Sequence, residues 1–267
     1  MTVWLEILVL AVVQGVAEFL PISSSGHVVV GAELFEQLGQ PLKDRLTLNI
    51  VLHLGTLLAI LVFYRKRIAR LMGQDRRLLG LIAVGSVPAA LVGSVSLTGF
   101  GPTFQAAMGS ALLAGLMFPI TAAMLLWAAR RPQGKTTCRE LGYGAALVIG
   151  ALQAFAILPG ISRSGATIAA ALGCGMRREE AATFSFLLAI PVIAGAGLFE
   201  TLKLAKTGAG STPIGGMVLG AVVAFAVGWI SLWWLVRWLK QGRLHRFAWY
   251  LLPLGAAVVV WQLVCPQ

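Results

Sequence analysis

The stretch Gln14-Gly-Val-Ala-Glu-Phe-Leu-Pro-Ile-Ser-Ser-Ser-Gly-His27 is answered later in the chain by Gln153-Ala-Phe-Ala-Ile-Leu-Pro-Gly-Ile-Ser-Arg-Ser-Gly-Ala-Thr167, which aligns with residues 14–28 without a gap. Gln14 matches Gln153, Ala17 matches Ala156, Ile22-Ser23 match Ile161-Ser162, and Ser25-Gly26 match Ser164-Gly165. The mismatches carry the chemistry. Where the first copy has Glu18, Ser24 and His27, the second has Ile157, Arg163 and Ala166. One copy brings a carboxylate, a hydroxyl and an imidazole, the other a guanidinium. Two such half-sites make one polar centre if the fold brings them together.

The chain around these stretches is a membrane protein. Its 267 residues are 58% hydrophobic and only 12% charged, with a mean hydropathy of +0.86, against about 25% charged in a soluble domain. Long apolar runs rich in Leu, Ala and Gly recur from end to end, which predicts an all-α polytopic membrane protein and not a barrel. The opening segment has no basic region before it and runs into a polar serine motif, so it is read as retained and not as a signal peptide. A net charge of +11 would point to nucleic acid in a soluble protein. Here the basic residues fill short gaps between apolar runs, which points to topology and anionic lipid, with no nucleic-acid partner. Cys138, Cys174 and Cys265 are scattered and make neither a metal-site spacing nor a disulfide framework.

Apolar spans are predicted at about 46–64, 78–97, 104–129, 181–202, 214–236 and 247–264. Two interrupted segments, 1–38 and 141–172, break at Leu20-Pro21 and Pro159-Gly160. Sixteen of the 21 basic residues fall in four gaps, at 65–77, 130–139, 177–178 and 237–246, and the positive-inside rule places all four in the cytoplasm. The gaps at 39–45, 98–103 and 203–212 then lie outside. Because residues 139 and 177 are both cytoplasmic, the segment between them enters and returns; two thin full spans in each hairpin, giving ten crossings, are the alternative, but 26–38 and 161–173 have too few apolar residues for a core that needs about 20. If the first half repeats the second, residues 1–38 form a matching hairpin entered from the other face. The expected fold is one integral membrane domain, 1–267, with six transmembrane helices and two re-entrant helical hairpins. Its halves, about 1–130 and 140–267, form an inverted-topology repeat with polar groups near mid-membrane.

Arg163 stands at the break of an apolar hairpin, where an arginine needs a partner. Its neighbours Ser162, Ser164, Gly165 and Thr167 are small or hydroxylic, and a guanidinium beside hydroxyls and helix-start amides suits a phosphate. The plainer alternative is a permanent ion pair with Glu18. Gln14 and Glu18 share one helical face and could offer hard oxygen ligands to a divalent cation, with substrate phosphates and water completing the shell; alternatively Gln14 only bridges helices. One of Ser23, Ser24 and Ser25 caps the next helix. With that helix starting there, Ser24 and His27 stand at i and i+3, so His27 could take the proton of a Ser24 that attacks phosphorus, or activate a water that Ser24 only orients. His53 and Asn49 read as interhelical hydrogen-bonding residues. No P-loop, dinucleotide fingerprint or HExxH is present.

At these residues the chain resembles the bacterial undecaprenyl-pyrophosphate phosphatase family, also called the bacitracin-resistance protein family. The likeness rests on Gln14-Gly-Val-Ala-Glu18, Pro21-Ile-Ser-Ser-Ser-Gly-His27, Leu158-Pro-Gly-Ile-Ser-Arg-Ser-Gly-Ala-Thr167 and Phe184-Ser-Phe-Leu-Leu-Ala-Ile-Pro191, and covers essentially the whole chain. The resemblance implies hydrolysis of the C55 polyprenyl pyrophosphate lipid to its monophosphate, recycling the carrier for peptidoglycan and envelope glycans. It implies the bacterial plasma membrane, a centre open to the outer side, a divalent cation (Mg2+ or Ca2+), dimer-forming members, and bacitracin acting by sequestering the lipid substrate. It assigns Glu18, Ser24, His27 and Arg163 to catalysis and Gln14 and Glu18 to metal. It gives phosphate binding to Arg163 and Thr167, and the hydroxyls and helix-start amides of Ser23, Ser25, Gly26, Ser162, Ser164 and Gly165 are expected to join them. The first position of the family's acidic motif is often Glu; here it is Gln14, which leaves Glu18 as the indispensable carboxylate. The rival expectation is a polyprenyl-phosphate transporter or flippase, because hairpins meeting at mid-membrane are also transporter architecture.

Overall fold

The computed structural model describes residues 3–37, 45–71, 73–98, 101–207 and 213–265. Among them the chain is helical throughout: α1 Val3–Ala17, α2 Ser24–Gln37, α3 Arg45–Phe63, α4 Arg65–Leu71, α5 Arg76–Thr98, α6 Pro102–Met108, α7 Ala111–Ala129, α8 Tyr143–Phe155, α9 Arg163–Gly173, α10 Arg178–Thr207, α11 Ile214–Lys240 and α12 His245–Val264. Five of these are long and apolar enough to cross a membrane, and the pair α3–α4, bent by 75° at its break, makes a sixth candidate. The protein is thus an all-α polytopic membrane protein. The expected outer gaps at 39–45, 98–103 and 203–212 lie wholly or partly outside the described residues.

One boundary differs from expectation. The run 104–129 was expected as a single span, but it is divided into α6 and α7. Its apolar character continues across the break, so hydropathy does not mark it. Ser110 does: its side chain accepts from the Leu113 amide as the N-cap of α7, satisfying a donor that the helix start leaves free.

The two broken segments are short. α1 has 15 residues and α8 has 13, about 22 and 20 Å at the helical rise, against a hydrocarbon core of about 30 Å. Each ends in a turn that the sequence dictates. Pro159-Gly160 closes the second, where Gly160 takes a φ of +92° that an L side chain resists. Ser162 then caps α9 by accepting from the Gly165 amide at 3.1 Å. In the first copy Ser23 likewise accepts from the Gly26 amide at 3.2 Å. Ser23, however, is held at φ +72°, a strained left-handed conformation for a serine.

Packing follows the sequence repeat. α1 lies on α11 as α8 lies on α5, while α7 packs against α12 and α3 against α10. The turns touch reciprocally: a Cβ on Gly26 would stand 2.9 Å from the Gly160 Cα, and one on Gly165 would stand 3.3 Å from the Pro21 Cβ. These are the same contact with the two copies exchanged. Contacts also mark the ends of the bundle. Arg67 meets Glu180, Arg139 pairs with Asp75, and Lys240 meets Glu179, so the four basic gaps gather at one end. Trp127, Trp233 and Trp238 stack there under Arg131, Arg237 and Arg246, as interface anchors do. α8 starts at that end, with the Tyr143 ring close to Gly80 near the start of α5. α1 starts at the other, where Trp4 and Ile7 meet Gly215 and Gly216 at the start of α11.

Candidate functional site

The site lies where the two turns meet. Glu18, one residue past the end of α1, is 6% exposed and occupies its centre. Its Oε1 pairs with Arg163 Nη2 at 2.6 Å across the two copies. Its Oε2 accepts from the Ser24 hydroxyl at 2.9 Å and from the Gln14 amide at 3.1 Å. His53 Nε2 stands 3.8 Å from the same oxygen. The structure therefore joins Glu18, Arg163, Ser24 and Gln14 in one network, and the ion pair weighed from sequence is present. It does not use up the arginine: Nη1 is buried with no hydrogen-bond partner. Nor does Gln14 direct its carbonyl at Glu18, since a carboxylate accepts only and the contact is made by the NH2 group.

His27 is placed otherwise. It shares a helix start with Ser24, but its Nδ1 lies 2.7 Å from the Ser23 carbonyl and its Nε2 lies 2.8 Å from the Tyr250 hydroxyl on α12. In the neutral ring Nδ1 carries the proton, because a carbonyl oxygen only accepts, and Nε2 receives the tyrosine O–H. The i, i+3 spacing brings the two residues to one face without joining them. Ser24 gives its hydrogen bond to Glu18, and His27 braces the strained Ser23.

The remaining expected phosphate-binding groups ring this centre. Ser23 and Ser25 hydroxyls lie 3.3 Å apart, as do those of Ser162 and Ser164 at 3.2 Å. The amides of Gly26 and Gly165 are taken by the caps. Thr167 turns from the centre toward α10, donating to the Arg163 carbonyl at 2.8 Å and lying 2.6 Å from the Ser185 hydroxyl; it holds the backbone that carries the arginine. Two residues around the site were not singled out in the sequence, Thr121 and Tyr250. Thr121, fully buried on α7, donates to the Gly160 carbonyl at 2.8 Å and accepts from the Ser162 amide at 3.0 Å, which fixes the second turn. Tyr250 holds His27. His53, expected to bond between helices, instead places Nδ1 2.8 Å from the Asn49 carbonyl of its own helix, and its Nε2 faces Glu18.

Two cavities meet at Ser24, Ser25 and His53. The larger, about 670 Å³, is lined by residues of α5, α8 and α10; Glu18 and Arg163 border it, and Ala89, Ala90, Ile157, Val192 and Phe199 form its apolar walls. The second, about 620 Å³, lies between α1, α2 and α3 and is lined by Gln14, Glu33, Glu36 and Asn49. The centre thus borders two chambers, of which the second carries the carboxylates Glu33 and Glu36 beside Val28, Val29 and Ala32.

Comparison with known proteins gives a consistent result. Residues 7–257 match the family model described as Bacitracin resistance protein BacA. An undecaprenyl-diphosphatase of Rhodopirellula baltica is 46% identical over 257 residues, covering 96% of this chain and 97% of the relative. One from Desulfatibacillum aliphaticivorans is 39% identical over 282 aligned positions, covering 96% and 98%. Undecaprenyl-diphosphatase 4 of Bacillus cereus is 36% identical over 260, covering 97% of each.

Proposed function

Because the chain belongs to the bacitracin-resistance protein family, we propose that it hydrolyses undecaprenyl pyrophosphate to the monophosphate and inorganic phosphate, returning the lipid carrier to cell-wall synthesis. The observation that carries this reading is the Ser24–Glu18–Arg163 chain at the meeting of two helix starts, beside an apolar-walled chamber. α2 begins at Ser24 and α9 at Arg163, so two positive helix ends converge where a pyrophosphate would sit. The chamber has the size that takes a drug-sized molecule. It holds the head group and the first prenyl units, while the rest of a C55 chain lies in the bilayer.

The architecture proposed for this reaction is six crossings, α3 with α4, α5, α7, α10, α11 and α12, and two re-entrant pairs, α1–α2 and α8–α9, in an inverted repeat of halves about 1–130 and 140–267. Its support is the reciprocal contact of the two turns, the shortness of α1 and α8, and the starts of those helices at opposite ends of the bundle. The four basic gaps face the cytoplasm by the positive-inside rule, so α1–α2 enters from the outer side of the bacterial plasma membrane. The chamber between α1, α2 and α3 is then the outer mouth.

Arg163 keeps Glu18 on Nη2 and offers Nη1 to a phosphate oxygen. Ser24 Oγ attacks the terminal phosphorus, and its proton passes to Glu18 Oε2, 2.9 Å away. The bond from phosphorus to the bridging oxygen breaks, its electron pair leaves with the lipid monophosphate, and Glu18 returns the proton to that oxygen. Water then attacks the phosphoserine and gives its proton to Glu18. The P–Oγ bond breaks, and Ser24 regains its proton as inorganic phosphate leaves. His27 holds the Ser23 turn that aims the hydroxyl. Phosphoryl transfer asks for little beyond such positioning and charge neutralisation.

Gln14 and Glu18 fit a divalent cation that arrives with the substrate. They offer one amide and one carboxylate oxygen, the protein share typical of Mg2+ bound chiefly through phosphates and water. Among the described residues no group of three or more His, Cys, Asp or Glu side chains could hold an ion, so phosphate oxygens and water would complete the shell of an ion held by Gln14 and Glu18. Such an ion would neutralise pyrophosphate charge. Phosphate release by the purified protein in detergent, where no two compartments exist, is the test. Release that stops with a chelator and returns with Mg2+ or Ca2+ supports the reading. No release from folded protein would contradict it and favour lipid transport.

A further inference from the structure

Gln153 is the repeat counterpart of Gln14, but its circumstances differ. Gln14 spends its amide on Glu18; in the second copy that carboxylate position is Ile157. Gln153 is 3% exposed, and both its Nε2 and its Oε1 are buried without a hydrogen-bond partner. It lies on the wall of the larger cavity, on the helix that also supplies Ala154. The other polar side chains described on that wall are engaged. Ser24 is on Glu18, His53 on the Asn49 carbonyl, Ser86 on the Ile82 carbonyl, and Ser162 faces Ser164. Gln153 and Arg163 Nη1 are the exceptions.

A buried amide without partners costs stability, and native structures rarely leave one so without a reason. Arg163 is tied through Glu18 to Ser24, where the terminal phosphorus is attacked. Gln153, one turn before the apolar Ile157 that also lines the cavity, is the second unpartnered donor, and a pyrophosphate has a second phosphate to take it. Resting on the phosphatase reading above, we infer that Gln153 is a positioning residue for the phosphate that stays with the lipid: its NH2 group donates to a non-bridging oxygen of the phosphate next to the prenyl chain. That phosphate is present in substrate, transition state and lipid product alike. The contact therefore sets binding and register, bringing the terminal phosphorus to Ser24, and leaves the chemical step itself little changed.

The test uses Gln153→Met, which keeps the length and unbranched shape, and Gln153→Glu, which keeps the shape but replaces the donor with an acceptor. Loss of a hydrogen bond to a charged group corresponds to about ten- to hundredfold. Q153M is expected to raise KM for polyprenyl pyrophosphate by about that factor with kcat nearly unchanged, and Q153E to raise it further. Inhibition by a polyprenyl monophosphate should weaken by the same factor, while inhibition by inorganic phosphate stays as in the wild type. Q153M should melt no lower than the wild type, because it removes an unpaired amide; a purely structural glutamine would instead lower melting and leave the inhibitor pattern alone. Unchanged monophosphate inhibition in both variants, or equal weakening for inorganic phosphate, would overturn the assignment. Wild type is assayed in the same preparation: no release there defeats the phosphatase reading, whereas an active wild type with unaltered variants defeats only the role of Gln153.

Discussion

Replacing Arg163 with alanine separates the two roles that this arginine combines. Its side chain is 15% exposed and Glu18 is 6% exposed, with 2.6 Å between the paired atoms. At an effective dielectric of about 20, unit charges about 4 Å apart attract by about 4 kcal/mol. Removing one partner of a buried pair costs about 3–5 kcal/mol, because the other charge is stranded. Glu18 would keep Ser24 and Gln14, so R163A should lie near the low end, about 3 kcal/mol below the wild type. Adding Glu18→Gln removes the stranded charge and should recover about 1–2 kcal/mol. Neither variant should release phosphate. Denaturant titration in micelles, followed by tryptophan fluorescence, reads both differences. R163A as stable as the wild type, or a double variant less stable than R163A, would refute the reasoning.

The remaining predictions concern the turns and the hydroxyls. Ser24→Ala removes the attacking oxygen and should lower turnover by at least about 10²-fold; survival of a tenth of the wild-type rate would remove Ser24 from that role. Tyr250→Phe deletes one neutral hydrogen bond to His27 and should cost about two- to tenfold in kcat, with His27→Ala costing clearly more; equal losses would put Tyr250 in the chemistry. Thr121→Val leaves the Gly160 carbonyl and the Ser162 amide unpaired, at about 1–3 kcal/mol for each, so melting and activity should fall together. Gly26→Ala places a methyl 2.7 Å from the Phe118 ring and 2.9 Å from Gly160, and should open the contact between the turns and stop phosphate release; a fully active G26A would contradict that contact.

Much of this was legible in the sequence because the two breaks are written in residues with local meaning. Pro21 and Pro159-Gly160 break the helical runs, and the gapless alignment of 14–28 with 153–167 sets two turns against each other, with Glu18 on one and Arg163 on the other as possible partners. Local rules stop at the backbone. The i, i+3 spacing of Ser24 and His27 places two Cα atoms on one face, but the rotamer of His27 is decided by Tyr250, 223 positions away. Thr121 looks like any small residue of an apolar span, and its role exists only once the second turn is laid against α7. Gln153 was visible as the mate of Gln14, but its lack of a partner follows from Ile157 and from the packing around the cavity. The break at Ser110 was missed because hydropathy does not change across it.

In the proposed route Ser24, held by Glu18 at the start of α2, is itself phosphorylated and then dephosphorylated by water. The stereochemical course at the terminal phosphorus tests it most directly. With a terminal thiophosphate made chiral by oxygen isotopes, and labelled water supplying the last oxygen, two successive in-line displacements give inorganic thiophosphate with net retention. That is the predicted result; net inversion would mean that water attacks the lipid pyrophosphate in a single step and that Ser24 only orients it.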